Sequence, residues 1–301
     1  MSDPTIAITA ADPGSGHITP PGPPPKANPP PKANPPPKEC GAEGDILAVR
    51  GLRKTLGEGA SRQTIIDGLT LSVRTGEFLS LVGPSGCGKT TLLMCLAGLY
   101  GADDGSVHFE RQRVTAPPRG VSVVFQDYSR SLLPWKNNLE NVLFGMWRTA
   151  MSEAQRREKA VELLHTVGLR GYEKHFPWQV SGGMQQRVAI ARGLGAQSRL
   201  LLLDEPLAAV DAQTRAELQD LLLDLARRFN QTCLLVTHDV DEAVYMADRI
   251  IVLSRRPTRV VTDLAVPLPK PRDQLGTRED RTYLDLRHEV ITLIRSMRQA
   301  A

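Results

Sequence analysis

The sequence predicts an α/β fold: a mainly parallel β-sheet with an α-helical subdomain inserted into it. Three observations carry this expectation. Short apolar runs at 46–49, 69–73, 78–82, 121–125, 200–204, 232–237 and 249–253 have the length of strands. Helical patterns at 89–97, 215–228 and 240–246 follow several of them. Buried strands that alternate with helices build parallel sheets with right-handed crossovers. Between about 139 and 195 the strand pattern stops and helices take over. There, Ser152 with Gln155 reads as a capping box opening a helix that runs to about Val167.

Before the first strand the composition changes. From Pro23 the unit PPPKAN recurs at Pro29 and breaks off after Lys38. Polyproline II has about three residues per turn, so this period places Lys26, Lys32 and Lys38 on one edge. Such a segment buries no core, and residues 1–44 are expected to form an extended, disordered tail. The folded domain itself is expected over 45–275, with its helical subdomain at about 139–195, followed by a helical extension over 276–301.

Composition narrows the function. With 41% apolar and 23% charged residues the chain has a globular balance. No apolar run approaches the roughly 18–20 residues of a membrane helix. The N-terminus MSDPTIAITAADPGSG lacks the basic and apolar regions of a secretory signal, so the chain is expected to stay where it is made. Cys40, Cys87, Cys95 and Cys233 lack metal-ligand spacing and fit a reducing compartment. Of the net charge of +4, all falls after Ser254, where ten basic residues face six acidic ones. No broad basic face remains, and a nucleic-acid partner is excluded.

Between the predicted strand FLSLV and the helix KTTLLMCLAG lies Gly83-Pro84-Ser85-Gly86-Cys87-Gly88-Lys89-Thr90-Thr91. It fits the phosphate-binding P-loop pattern, in which backbone N–H groups and a helix start form an anion site. Lys89 is placed to reach the β- and γ-phosphates, and the Thr90 hydroxyl to coordinate Mg²⁺. Four leucines then lead into Asp204-Glu205-Pro206. Ligands bind at the carboxyl ends of parallel strands. Asp204 is therefore expected to hold the metal, and Glu205 to take a proton from attacking water. His238 follows the strand LLVT at the same sheet edge, as a phosphate sensor. Gln126 ends the strand at 121–125 and reaches metal or water.

A second glycine turn, Val180-Ser181-Gly182-Gly183-Met184-Gln185-Gln186-Arg187, opens a helix in the inserted region. With it, the constellation resembles the nucleotide-binding subunit of ATP-binding cassette (ABC) transporters, a family of P-loop ATPases, over about 46–253. The resemblance implies an additional small antiparallel β subdomain. It also implies head-to-tail pairing with a second copy, in which Ser181, Gly182, Gly183 and Asp211 of AAVD complete the partner's ATP site. Met184, the segment DYSRSLLPWKNNLENVLFG and the tail LSRRPTRVVTDLAVPLPKPRD resemble the branch that imports nitrate, sulfonates and taurine. In that resemblance Thr258 replaces a common glycine, and Leu56 falls where an aromatic normally stacks on adenine, which implies weaker base contact. Leu132, Leu133, Pro134 and Trp135 form an apolar cluster expected to face a partner.

The implied function is ATP hydrolysis that powers uptake of a small anion, with ATP and Mg²⁺ bound. The implied partners are transmembrane permease subunits and, indirectly, a solute-binding protein, at the cytoplasmic face of the inner membrane. The alternative is a soluble ABC-type ATPase uncoupled from transport, which would need two cassettes or a coiled-coil insertion in one chain.

Overall fold

The computed structural model describes residues 44–127 and 131–299. The proline-rich segment, Cys40 and part of DYSR lie outside the described residues. The elements follow in the order β1 (Asp45–Leu56), β2 (Gln63–Arg74), β3 (Phe78–Val82), α1 (Lys89–Leu96), β4 (Asp104–Phe109), β5 (Gln112–Arg113) and β6 (Val121–Val124). Three helices come next, α2 (Asn138–Gly145), α3 (Glu153–Thr166) and α4 (Gly182–Gly195). The chain then alternates through β7 (Leu200–Asp204), α5 (Ala212–Arg228), β8 (Thr232–Thr237), α6 (Val240–Met246), β9 (Arg249–Leu253) and β10 (Val260–Ala265). It closes with α7 (Gly276–Glu279) and α8 (Arg281–Gln299).

Two sheets form. The larger has the order β10-β9-β3-β8-β7-β6 and is parallel apart from its antiparallel β10 edge. The smaller is antiparallel, in the order β2-β1-β4-β5. The runs at 46–49 and 69–73 therefore belong to the antiparallel sheet, not to the parallel one. They are also shorter than the strands they mark. Gly51 and Gly68 take φ of 57° and 68° inside β1 and β2, and register shifts follow, which breaks the apolar alternation that reveals a strand.

Side-chain alternation divides the core along the large sheet. Leu79, Leu81, Leu200, Leu202, Leu234 and Val236 pack with α1 and the antiparallel sheet. Phe78, Val82, Leu201, Leu203, Cys233 and Leu235 pack on the opposite face with residues of α2 to α6 and α8. The Ser152–Gln155 box forms as expected: Ser152 N donates to Gln155 Oε1 at 2.9 Å, and Gln155 N to Ser152 Oγ at 3.3 Å. Leu132 departs from expectation. It is 1% exposed and packs in the helical part of the core, whereas Trp135 is 71% exposed. The apolar cluster is thus split between core and surface, because Asn141 holds the turn by accepting from Leu133 N and donating to its carbonyl. Among the described residues no helix is long and apolar enough to cross a membrane.

The helical part depends on one close approach. A Cβ on Gly145 would lie 2.4 Å from the Arg192 carbonyl oxygen, so α2 crosses α4 with room for glycine alone. Gly145→Ala is expected to lower unfolding free energy by about 1–3 kcal/mol in urea titrations. Gly101→Ala, where the added carbon meets open space, should leave stability near wild type. Equal behaviour of the two variants would contradict this packing.

Candidate nucleotide site

Because β3, β8, β7 and β6 run parallel, their carboxyl ends share one sheet edge. Val82 pairs with Thr237, Asp204 with Val236, and Val124 with Leu203. The glycine loop, the Asp204-Glu205 pair, His238 and Gln126 all leave the sheet at this edge. Gln126 is one residue further from its strand than its sequence pattern suggests, since β6 ends at Val124.

The loop from Gly83 to Thr91 wraps the start of α1. Gly86 and Gly88 adopt φ of 74° and 110°. A Cβ on Gly88 would meet Ile65 Cγ2 at 2.7 Å, so both conformation and space require glycine. Gly88 caps α1 without a side chain, and uncapped amides at a helix start attract anions. Lys89 is 5% exposed, and its ammonium donates to the carbonyls of Gly83 at 3.0 Å and Pro84 at 3.1 Å. Ser85, Gly86 and Thr90 are exposed at the rim, while Cys87 is buried, with its thiol pushed upward by that burial.

Glu205 gathers the other elements. Its φ is 44°, a left-handed conformation that costs a non-glycine residue about 1 kcal/mol or more. Its N–H still donates to Val236 O at 2.8 Å, which ties the turn to β8. The carboxylate then reaches three strand ends. Oε2 accepts from His238 Nδ1 at 2.9 Å and from Gln126 Nε2 at 3.4 Å, and Oε1 lies 4.0 Å from Lys89 Nζ. Beside it, the Thr90 hydroxyl is 3.4 Å from Asp204 Oδ1. Asp204 is 3% exposed, and burial raises its carboxyl above the usual range against the opposing hydrogen bond from Thr90. Buried oxygens of this kind suit a hard cation such as Mg²⁺, whose charge would hold Asp204 ionised.

Ser181, Gly182, Gly183 and Asp211 form a second group. Ser181 caps α4 by accepting from Met184 N at 3.3 Å, and Asp211 caps α5 by accepting from Thr214 N at 3.0 Å. Thr214 joins the two helix starts, because a Cβ on Gly183 would lie 2.7 Å from its methyl carbon. Ser181 and Gly182 are exposed. Among the described residues no hydrogen bond or ion pair links this group to Lys89, Asp204 or Glu205. Leu56, at the end of β1, is 36% exposed.

Several supporting residues escape a sequence reading. Thr258 is fully buried under the loop, donating from its hydroxyl to the Cys87 carbonyl and from its N–H to Ile65 O at 2.7 Å. Arg192 donates to Ser131 O at 2.5 Å and to its hydroxyl at 3.0 Å, joining α4 to the segment after Gln126. Neither contact has a sequence signal. Glu242, 4% exposed in the first turn of α6, has one: Asp239-x-x-Glu242 resembles a helix start, and Asp239 indeed caps it.

A glycine loop facing the Asp204-Glu205 pair at the carboxyl edge of a parallel sheet defines a nucleoside-triphosphate-binding protein of the P-loop class. Residues 66–208 match the family described as ABC transporter. An uncharacterised ABC transporter ATP-binding protein of Methanocaldococcus jannaschii is 42% identical over 249 residues, 83% of this chain and 91% of that protein. An aliphatic sulfonates import ATP-binding protein of Bacillus licheniformis is 40% identical over 245 residues, 81% of this chain and 92% of that protein. A solved dimeric, post-hydrolysis ATP-binding cassette bound to ADP and Pi aligns with a TM-score of 0.65 at 31% identity, covering 73% of this chain and 99% of that one. The chain belongs to the ABC transporter family, as an ATP-binding, ATP-hydrolysing member.

Burial pushes the Glu242 carboxyl up to about 7, with Asp239 and Glu205 adding to the rise and Thr237 and Arg215 opposing it. A raised acid favours folding while protonated. That contribution is full below the ordinary glutamate range and lost as pH rises through about 7. Against Glu242→Gln, wild-type stability should therefore fall by on the order of 3 kcal/mol between pH 4 and pH 8. Chemical denaturation across that range checks it, and a pH-independent difference would refute the buried-acid assignment.

Proposed function

We propose that the chain is the ATPase subunit of an importer for a small anion such as nitrate, a sulfonate or taurine, working as a head-to-tail homodimer. The observation that carries this reading is the separation of two anion-binding groups within one cassette. Lys89 and the loop amides suit the phosphates of one ATP, while the Ser181 and Asp211 helix starts share no hydrogen bond or ion pair with that loop among the described residues and suit the ATP of a second copy. The dimeric cassette with ADP and Pi supports the pairing. The sulfonate-import relative supports the anion class.

In this reading Gly83 to Thr91 cradle the phosphates, Lys89 offsets their charge, and Thr90, Asp204 and Gln126 hold Mg²⁺. The bound metal neutralises charge that develops on the phosphates. Glu205 orients the attacking water and takes its proton, with His238 fixing the carboxylate by its 2.9 Å hydrogen bond. The cassette spans 45–275, and 276–301 extends it. Permease subunits dock in an open cleft of about 960 Å³ between β6 and the helices α2 and α4, where Phe144 and Trp147 are 50% and 62% exposed. A solute-binding protein delivers the anion to those subunits, and the cassette sits on the cytoplasmic face of the inner membrane without touching solute.

Glu205→Gln keeps the hydrogen-bonding shape but not the base. It should bind ATP with near wild-type affinity, hydrolyse it roughly 100-fold more slowly or worse, and elute as a dimer with ATP in size-exclusion chromatography. Wild-type turnover in that variant would remove Glu205 from its role.

A further inference from the structure

His238 immediately precedes Asp239, the cap of α6, and α6 has only seven residues. A helix of this length is not stable alone in water, so its position is set by what packs on it. The C-terminal segment grips both of its ends. At the carboxyl end Arg272 Nη2 donates to Ala247 O at 2.9 Å. At the amino end Asp241 Oδ1 accepts from Tyr283 Oη at 3.0 Å and from Arg287 Nε at 2.5 Å. The grip is built into the core, because Tyr283, Val290 and Ile294 of α8 are buried with Ala243 to Ala247 in one apolar cluster.

The same segment also holds α5, the helix capped by Asp211. Gln274 Nε2 donates to Asp220 Oδ1 at 2.8 Å and to Ala216 O at 3.1 Å, and Arg278 Nη2 donates to Gln219 Oε1 at 3.1 Å. Tyr245 of α6 donates to the same Asp220 oxygen at 2.6 Å, which locks the two helices together. On its other side the His238 loop has Arg215 of α5, 3.6 Å from Asp239. The turn that presents His238 to Glu205 is thus braced from α5 and from the C-terminal helix.

We infer that Tyr283 and Arg287 are positioning residues for ATP hydrolysis, acting through Asp241 to hold His238 against Glu205. This rests on the role of His238 proposed above. The C-terminal extension is then a working part of the cassette: displacing α8 from Asp241 lowers turnover while the phosphate loop still binds ATP.

The test uses the full chain and steady-state phosphate release. Tyr283→Phe keeps its ring in the core, so the variant folds, and it is combined with Arg287→Gln. The pair should lower kcat by roughly tenfold, in line with a small misplacement of a catalytic group, with KM for ATP within about twofold. Arg287→Lys, which keeps a charged donor, should restore much of the loss beside Tyr283→Phe. In a His238→Ala background the same pair should have no further effect, because coupled residues are not additive. An unchanged kcat in the pair, or an equal loss with and without His238, would overturn the brace while leaving His238 in its role. Normal turnover in His238→Ala alone would overturn the role of His238 and the brace with it.

Discussion

A left-handed turn at Glu205 lets one carboxylate meet groups from three neighbouring strand ends. Had the chain continued in extended conformation after β7, the side chain following Asp204 would have pointed straight out from one face of the sheet. Instead the N–H of Glu205 stays in the ladder with Val236, and its carboxylate crosses to His238, Gln126 and Lys89. The strain is held by the surroundings: Asp204 and the four leucines before it are buried on both faces of the sheet. Backbone strain of about 1–3 kcal/mol persists where packing over-determines it, and such residues cluster at functional sites. The phosphate loop, the Thr90–Asp204 contact and His238 are arranged around this turn.

The group of Ser181, Gly182, Gly183 and Asp211 obeys a different constraint. Ser181 and Asp211 each spend their side-chain oxygen on capping their own helix. What remains for a ligand at Ser181 is the exposed glycine backbone beside it. The group is built by close packing of α4 on α5 at Thr214, not by the sheet edge. The two groups are built by different contacts, and the proposed pairing of two copies is what would bring them together.

The site was more legible in the sequence than the fold around it. A phosphate loop needs glycine at left-handed positions and lysine at the helix start, so Gly86, Gly88 and Lys89 announce themselves. Four consecutive leucines that end at an acid pair read as a strand buried on both faces. The capping box at Ser152 was equally plain, since it is a local interaction. The runs at 46–49 and 69–73 mark only part of β1 and β2, because Gly51 and Gly68 interrupt their alternation. Leu132 was read as surface, because nothing local reveals that Asn141 folds its turn inward. The grip of Tyr283 and Arg287 on Asp241 spans more than forty residues and leaves no periodic trace.

Completion of each site by the partner copy is tested most directly by mixing two damaged chains. Lys89→Ala removes the charge of the phosphate loop. Ser181→Asp keeps a good helix cap and avoids the Thr214 contact that any side chain at Gly183 would make, but sets a carboxylate where the partner's γ-phosphate is expected. Each chain alone should hydrolyse ATP poorly. Together, half of the mixed dimers' sites combine an intact loop with an intact Ser181. Phosphate release from the mixture well above that of either chain alone is the expected result. Activity no greater than the average of the two, with mixed dimers shown to form, would contradict completion in trans.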